Sequence, residues 1–182
     1  MEYYEKITLK DGRECCLRHC TEQDGEAVLN VFLRTHAQTD FMLTYTDENT
    51  MTAEQESNYL KEKVSRPDEI EILAEVGGKV VGTAGITPVG TKCKLRHRAE
   101  FGIGIEEEYW GLGIGRAMTK ACIVCAKKAG YEQLELDVVA DNPRAAELYR
   151  SLGFVEYGRN PRGFRSRLTG YQELIYMRLE LV

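Results

Sequence analysis

A glycine-rich turn in the second half of the chain has the residue types and the spacing of a phosphate-binding site. Three glycines alternate with two apolar residues and lead into an arginine: Gly111, Leu112, Gly113, Ile114, Gly115 and Arg116. Apolar residues at helical spacing follow, so the turn opens a helix. The first turn of a helix has free backbone N–H groups, and glycine lets an anion approach them. A plain tight turn needs fewer glycines, so the pattern favours phosphate binding.

Two other phosphate-binding motifs of similar composition do not fit this turn. The dinucleotide-binding motif reads G-x-G-x-x-G, but Arg116 and Met118 occupy its third glycine position in the two possible registers. Glu135 follows at about the distance of a ribose-binding acid, which keeps a nucleotide-binding oxidoreductase as an alternative. A Walker P-loop requires Gly-Lys-Ser/Thr, which does not follow the glycines here.

The glycine turn lies within a regular succession of strand and helix patterns. Alternating residues and turn signals predict six strands, followed by further strands near the end of the chain: 6–9, 13–18, 71–76, 79–86, 95–105 and 133–139. Helical spacing and capping residues predict four helices, at about 21–33, 52–66, 114–128 and 142–152. Antiparallel hairpins followed by β-α-β-α-β indicate a mixed α/β fold with a mostly antiparallel central sheet flanked by helices.

A second pattern lies on the last predicted helix. Asn142 and Pro143 suit the N-cap and the first helical position. Tyr149 falls on the buried stripe, Gly153 fits the left-handed position after the helix, and Phe154 can pack back onto it. From the residues alone, Tyr149 is first interpreted as a core residue whose hydroxyl reaches a polar edge.

The two patterns together resemble the GNAT superfamily of N-acetyltransferases. The acyl-CoA-binding motif of that superfamily reads Q/R-x-x-G-x-G/A. Gly113 and Gly115 match its glycines, whereas Trp110 departs from its first position. The run N-x-x-A-x-x-x-Y-x-x-x-G-F, from Asn142 to Phe154, resembles the next motif of the family. Two motifs in this order, separated by one helix and one strand, are more specific than either alone, and the resemblance covers residues 74–155.

The resemblance implies a fold, a cofactor and a reaction. One strand pair would splay, and its backbone would hold the pantetheine arm and the acetyl carbonyl of acetyl-CoA through Ile103, Gly104 and Ile105. The turn from Gly111 to Arg116 would hold the pyrophosphate, Asn142 would contact CoA, and Tyr149 would be the general acid toward the sulfur. The chain would then move the acetyl group to a primary amine by direct attack. A CoA-binding sensor without acceptor chemistry is the alternative.

Two carboxylates are candidates for the general base, which direct attack needs because the amine must be neutral. Glu100 alternates with Phe101, so it shares a face with Gly102 and Gly104 and is expected to reach the cleft. Asp137 matches the position of a carboxylate that one branch of the superfamily uses as base. Each also fits an ordinary solvated carboxylate on a strand. Between the two, Glu100 is favoured.

The acceptor site is assigned to the segment between the first two helices, residues 39–51. In folds of this family that segment walls the acceptor site, and here it holds Phe41 and Tyr45. An ordinary packing corner between two helices is the alternative. An apolar wall suits a compact amine, on a small molecule or at a peptide terminus. The arginine run 159–167, predicted as a loop, and Glu106 to Glu108 are interpreted as solvated charges; for the arginines, binding of the nucleotide end of CoA or of an anionic acceptor is the alternative.

Composition limits the remaining classes. The 182 residues fit one domain, 1–182, and 43% hydrophobic residues suffice for a core. A formal net charge of -5 disfavours nucleic acid as a partner. The chain does not begin with a basic segment followed by an apolar one, and it has no apolar stretch long enough to span a membrane. We therefore expect a cytoplasmic location and no association with a membrane. Cys122 and Cys125 lie on an apolar helix stripe and are not predicted to bind metal. A homodimer is left open.

Overall fold

In the computed structural model, which describes residues 1–182, the chain forms eight strands: β1 (Tyr4–Thr8), β2 (Glu14–His19), β3 (Ile70–Val76), β4 (Lys79–Pro88), β5 (Arg98–Ile105), β6 (Gln133–Val139), β7 (Val155–Ser166) and β8 (Gly170–Glu180). They build one sheet in the order β1-β2-β3-β4-β5-β6-β8-β7. Only the β5–β6 pair is parallel. The mixed, mostly antiparallel fold is confirmed, and it differs from the parallel sheet of a dinucleotide-binding domain.

Four α-helices flank the sheet: α1 (Gly25–Gln38), α2 (Ala53–Ser65), α3 (Ile114–Lys128) and α4 (Pro143–Ser151). The predicted cap acts as expected at α2, where the hydroxyl of Thr52 accepts a hydrogen bond from the N–H of Gln55 at 3.2 Å. The first helix begins later than predicted, because Thr21 precedes a 3-10 turn at residues 22–24 and α1 starts only at Gly25. The carboxylate of Asp24 accepts a hydrogen bond from the N–H of Thr21 at 2.8 Å and so stabilises that turn.

The sheet separates two hydrophobic clusters. Ile72 and Ala74 on β3 belong to the main cluster of 29 buried residues, which α3 covers. Leu73 points to the opposite face, where it packs with Val31 of α1 and Leu60 of α2. The alternation of β3 thus buries both faces of the sheet and fixes α3 on one side and α1 with α2 on the other.

The paired cysteines of α3 belong to the main cluster. Cys122 and Cys125 are both 0% exposed, which confirms their prediction as residues of a buried stripe. All six cysteines are free thiols, and burial raises the pKa of the Cys122 thiol well above its usual range. A buried thiol held protonated is a packing group rather than a nucleophile.

Two further differences from the prediction concern strands. The strand expected from Leu95 begins at Arg98, because residues 93–95 form a short 3-10 turn. Most of the arginine run expected in a loop, Arg159, Arg162 and Arg165, lies within β7, whose register against β8 shifts in two places, and Arg167 follows the strand. Those irregularities let a strand carry glycine, proline and clustered arginines. No helix of the structure is long and apolar enough to cross a bilayer.

β5 and β6 diverge after a short parallel contact. Their pairing covers residues 98–100 against 133–135, while β5 runs on to Ile105 and β6 to Val139. β5 stays paired with β4 throughout, so a gap opens only on its β6 side. The predicted splayed pair is confirmed, and it opens a wedge-shaped cleft through the sheet.

Candidate active site

The glycine turn forms an open cradle at the start of α3. Gly111 and Gly113 have φ angles of +79° and +105°, in the left-handed region that favours glycine. Gly113 is the N-cap of α3, and no side chain caps that helix, so the N–H groups of its first turn are free for a ligand. Apart from chain neighbours, no heavy atom lies within 4 Å of a Cβ built at either glycine. The turn therefore has the conformation and the space that an anion requires.

A cavity of about 890 Å³ lies over this cradle, and we call it the glycine cavity. All three glycines of the turn line it. So do three cationic side chains, Lys10, Arg116 and Arg144, against two acidic ones, Asp141 and Glu147. Excess positive charge beside a helix N-terminus favours a phosphate ligand.

The two apolar residues of the turn face away from the glycine cavity. Ile114 is 0% exposed, and Leu112 packs against the same core. The carbonyl of Leu112 accepts a hydrogen bond from the N–H of Lys10 at 3.1 Å, which ties the turn to the β1–β2 hairpin. Any contact of these two residues with a cofactor is therefore through the backbone.

The far side of the glycine cavity is the splayed end of β5. Ile103, Gly104 and Ile105 line it. A Cβ at Gly102 would meet nothing, as expected, but one at Gly104 would lie 3.3 Å from Thr35 Oγ1 and from Met42 Cε. This face of the strand is therefore open at Gly102, whereas at Gly104 the side chains of α1 and of the following loop lie close to the backbone.

Tyr149 stands at the centre of the cleft. Its side chain is only 7% exposed and packs edge-on against Phe101, with ring centroids 6.0 Å apart. The hydroxyl has no hydrogen-bond partner in the protein, yet it is not sealed from the cleft. Burial raises the pKa of Tyr149 well above its usual range, so the phenol stays protonated. An unpartnered O–H that faces the cleft is available to donate a hydrogen bond to a ligand atom.

Asn142 begins α4 beside Tyr149. Its side-chain oxygen accepts a hydrogen bond from the N–H of Ala145 at 3.2 Å, so the predicted N-cap is confirmed. The amide nitrogen keeps its two donors, and the residue lines the cleft. The same side chain can therefore both cap α4 and contact a cofactor.

A second cavity, of about 870 Å³, opens on the other side of Tyr149, and we call it the carboxylate cavity. It is lined by four carboxylates and two cations: Glu71, Glu100, Glu135, Asp137, Lys63 and Arg98. Lys63 pairs with Glu71 at 2.8 Å, and the second guanidinium nitrogen of Arg98 lies 2.7 Å from Glu135. Glu100 and Asp137 have no ion pair and no hydrogen bond in the protein. The sequence-predicted base candidates thus face the same cavity without partners.

The electrostatic environments of the two candidates differ. Asp137 lies two residues beyond Glu135, the last residue of β6 that pairs with β5, so it stands where the strands have begun to separate. Partial burial and the neighbouring charges of Glu100 and Glu135 raise the pKa of Asp137 above its usual range. A raised pKa suits a base that must hold a proton near neutral pH.

The segment 39–51 closes one side of the cleft, and Asp40 holds it there. One carboxylate oxygen of Asp40 accepts hydrogen bonds from Ser166 at 2.6 Å and from Gln172 at 3.1 Å. Phe41, next in the chain, lines both cavities. Tyr45 lines neither: its hydroxyl accepts a hydrogen bond from the N–H of Arg167 at 2.7 Å, and the Arg167 guanidinium covers its ring at 4.2 Å. The assignment of Tyr45 to the acceptor site is corrected, because it anchors the β7–β8 turn.

Comparison with known proteins agrees with this geometry. Residues 31–154 match the family model described as "Acetyltransferase (GNAT) family". That span includes the glycine turn, the splayed strands and Tyr149. The chain belongs to the GNAT acetyltransferase family.

Several GNAT relatives are similar to this chain over part of their length. Human N-acetyltransferase 8B is 34% identical over 89 residues, 48% of this chain and 39% of that protein. N-alpha-acetyltransferase RimI of Mycobacterium tuberculosis is 32% identical over 103 residues, 57% of this chain and 63% of that protein. The chain thus spans less than two thirds of the length of these curated relatives. A solved GNAT acetyltransferase from Streptococcus pneumoniae superposes with a TM-score of 0.87 at 26% identity, covering 91% of this chain and 99% of that one.

Trp110, where this GNAT chain departs from the Gln/Arg of the motif, has a structural role. Its indole N–H donates a hydrogen bond to the carbonyl of Ile105 at 2.7 Å, and the Arg144 guanidinium lies 5.4 Å from its ring centroid. The ring therefore ties the end of β5 to the glycine turn. The ring also packs against the Arg144 guanidinium, which is one of the cations that line the glycine cavity.

Glu106 is the residue of this GNAT site that sequence reasoning placed wrongly. It is 2% exposed rather than solvated, and it pairs with Arg34 of α1 at 2.7 Å and with Lys79 of β4 at 2.6 Å. Glu107 and Glu108 are exposed as expected. The Glu106 carboxylate thus joins the end of β5 to α1 just before the glycine turn. The sequence signal, a run of three glutamates, does not reveal which of them is buried.

Proposed function

We propose that this chain transfers the acetyl group of acetyl-CoA to a primary amine, on a small molecule or at a peptide terminus, by direct attack. One observation carries the proposal: the unpartnered hydroxyl of Tyr149 stands between a cavity built for phosphates and a cavity lined with free carboxylates. Acetyl-CoA has a pyrophosphate for the first cavity, and an amine acceptor has a cation for the second.

The glycine cavity fits the cofactor. Acetyl-CoA supplies an acetyl group activated as a thioester. The N–H groups from Gly111 to Arg116 hold the pyrophosphate, with Lys10 and Arg144 adding positive charge. Asn142 and the splayed backbone from Ile103 to Ile105 position the pantetheine arm and polarise the acetyl carbonyl.

The carboxylate cavity prepares the amine. An ammonium group must lose its proton before nitrogen can form a bond to the acetyl carbon. Asp137 accepts that proton, directly or through water, since it stands nearer the splayed end of the cleft than Glu100 and its pKa is raised by partial burial. This choice reverses the sequence-based preference for Glu100.

Tyr149 completes the transfer. As the carbon–nitrogen bond forms, the carbon–sulfur bond breaks and the sulfur takes up the electron pair. The Tyr149 hydroxyl donates a proton to that sulfur. The nitrogen, once bonded to the acetyl carbon, loses its second proton to solvent, and Tyr149 takes up one proton from solvent. The products are the N-acetylated amine, the free thiol of CoA and the proton held by Asp137, so each proton and electron pair is accounted for.

Three further statements belong to the same proposal. We expect residues 1–182 to act as one domain, because a single sheet runs from β1 to β8. We expect the protein to act in the cytoplasm, where acetyl-CoA is available. Self-association into a homodimer is not needed to complete this site, since every residue named above comes from one chain.

The test is a panel of primary amines incubated with acetyl-CoA and the purified protein, followed by free-thiol release and by the mass of the product. We expect amine-dependent thiol release with one acetyl group added to the amine. Thiol release at the same rate with and without amine would show hydrolysis instead. Binding of acetyl-CoA without turnover of any amine would favour a sensor.

A further inference from the structure

The carboxylate cavity has more negative charge than its own cations balance. Of its four carboxylates, Glu71 and Glu135 are neutralised by Lys63 and Arg98, and two remain without a partner. His36 adds no positive charge near neutral pH, because burial lowers the pKa of its imidazole. The nearby Arg178 pairs with Glu180 at 3.2 Å and does not reach the cavity.

A single amine uses only one of the two free carboxylates. Proton removal from the attacking nitrogen needs one base, and Asp137 serves as that base in the proposed function. Glu100 then keeps its negative charge with no partner from the protein or from a monoamine. Glu100 is exposed to the solvent in this cavity, so a ligand whose second cation pairs with it gains a modest amount of binding energy.

The spacing of the two carboxylates sets the size of such a ligand. Glu100 pairs in register with Glu135, and Asp137 lies two residues further along β6 on the same face. Strand spacing and rise place the Glu100 and Asp137 Cα atoms about 8 Å apart. A chain of about five methylene groups between two nitrogens spans a similar distance.

The walls between these carboxylates suit a flexible hydrocarbon chain with charged ends. Tyr176, opposite Asp137 in the β6–β8 register, stacks on Tyr157 with ring centroids 6.1 Å apart, and both line the cavity. Phe41 and Phe164 add apolar surface. Aromatic faces stabilise both methylene groups and ammonium groups.

We propose that the acceptor is a diamine-like compound, with a second cationic nitrogen about five methylene groups from the reacting one, and that Glu100 selects it by pairing with that second nitrogen. The inference rests on the proposed function and adds a substrate class to it. The unpartnered hydroxyl of Tyr149, which faces the cleft, marks where the reacting end lies. Glu100 is thereby a specificity-determining residue.

The experiment compares three amines of equal length that differ only at the far end: 1,5-diaminopentane, pentylamine and 5-aminopentanoate. We expect kcat/KM for the diamine to exceed that for pentylamine by about two- to fivefold, the effect of one solvent-exposed ion pair. The aminopentanoate should be the poorest of the three, because its carboxylate meets Glu100. Equal values for the diamine and pentylamine, or preference for the aminopentanoate, would overturn the inference.

A variant assigns the selectivity to Glu100. Glu100→Gln should bring the diamine-to-pentylamine ratio of kcat/KM close to one, whereas Glu26→Gln, an equal charge change at an exposed site on α1, should leave the ratio as in the wild type. An unchanged ratio in Glu100→Gln contradicts the role of that residue.

Calorimetric measurement of amine binding to the CoA-loaded protein distinguishes the proposed acetyl transfer from the proposed selectivity for diamines. Tighter binding of the diamine than of pentylamine, without any acetylation, would count against the proposed function and still support the selectivity. Acetylation of pentylamine and the diamine with equal binding of both would count against the selectivity alone.

Discussion

The glycine cavity and the carboxylate cavity are nearly equal in size, about 890 and 870 Å³, but they are built differently. The glycine cavity is formed mainly by two continuous stretches, the turn into α3 and the start of α4, and its binding groups are backbone N–H groups. The carboxylate cavity takes side chains from α1, the segment after it, α2, α4, and strands β3 to β8. Under the proposed function, cofactor binding would depend on local backbone conformation, whereas acceptor choice would depend on how distant strands register.

The strongest test of the glycine cavity, whose proposed binding groups belong to the backbone, is Gly113→Val. A β-branched residue is strained at a φ of +105° and fills the space above the first turn of α3. We expect the thermal stabilisation by saturating acetyl-CoA to be abolished. Gly130→Val is the matched control, since Gly130 has a φ of +83° at the other end of the same helix. It should lower stability but keep the acetyl-CoA shift, and loss of the shift in both variants would contradict the cradle.

Tyr149→Phe tests the point where the two cavities meet. Removal of the hydroxyl should lower kcat by about ten- to a thousandfold while acetyl-CoA still binds, because the ring and its packing remain. Tyr131→Phe is the control: that buried tyrosine donates its hydroxyl to the carbonyl of Asp68, outside both cavities. An unchanged kcat in Tyr149→Phe would return this residue to a purely structural role.

Asp137→Asn tests the chemistry of the side-chain-built cavity. Because burial and neighbouring carboxylates raise the pKa of Asp137, its base form is lost as pH falls through a value above the usual aspartate range of about 4. We therefore expect kcat at saturating amine to fall as the pH is lowered through that pKa, which gives the pH profile an acid limb. The variant should lower kcat by about ten- to a hundredfold and lack the limb. A limb that persists in Asp137→Asn and disappears in Glu100→Gln would transfer the role of base to Glu100.

Phe41→Ala and Tyr45→Ala form a matched pair on the acceptor wall. Phe41 lines the cavities, so its truncation should raise KM for the amine by about tenfold through lost apolar contact. Tyr45 contacts Arg167 instead, so its truncation should leave KM for the amine within about twofold and lower stability by about 1 kcal/mol. The opposite pattern would restore the sequence-based assignment of Tyr45.

Glu106→Gln concerns the ion pairs that join the end of β5 to α1 and β4, outside the two cavities. It removes the charge that holds Arg34 and Lys79, two cations that are themselves partly exposed. We expect the free energy of unfolding to fall by about 1–2 kcal/mol, less than for a fully buried pair because solvent screens the cations. Glu107→Gln, at the exposed neighbouring position, should be within about 0.5 kcal/mol of the wild type. Equal stability of the two variants would mean that the buried carboxylate contributes nothing.

The glycine cavity could be predicted from the sequence, because the residues that shape its backbone lie close together in the chain. Gly113 needs a positive φ and a following helix, and both requirements are met within a few residues of the chain. Asn142 caps α4 for the same reason. The separation of β5 from β6 could be predicted only from the family resemblance, because no residue type in either strand indicates where their pairing stops.

The carboxylate cavity was predicted less well, because its lining depends on how strands that are distant in the sequence pair with one another. Alternation placed Glu100 toward the cleft correctly, but the separation of β5 from β6 moves the preference to Asp137. Phe41 and Tyr45 are equivalent in the sequence, and only the β7–β8 turn, more than a hundred residues away, distinguishes them. Burial of Glu106 depends likewise on Arg34, 72 positions away along the chain.

The most direct measurement of the central claim, that a thioester and an amine meet across Tyr149, is the affinity of a bisubstrate analogue. In such a compound the sulfur of CoA is joined through an acetyl bridge to the nitrogen of a primary alkylamine, so that one molecule occupies both cavities. Calorimetry should give a Kd at least about tenfold lower than that of CoA alone, because the second contact becomes intramolecular. The gain should be lost in Phe41→Ala. A Kd equal to or weaker than that of CoA would contradict a continuous site and with it the proposed transfer.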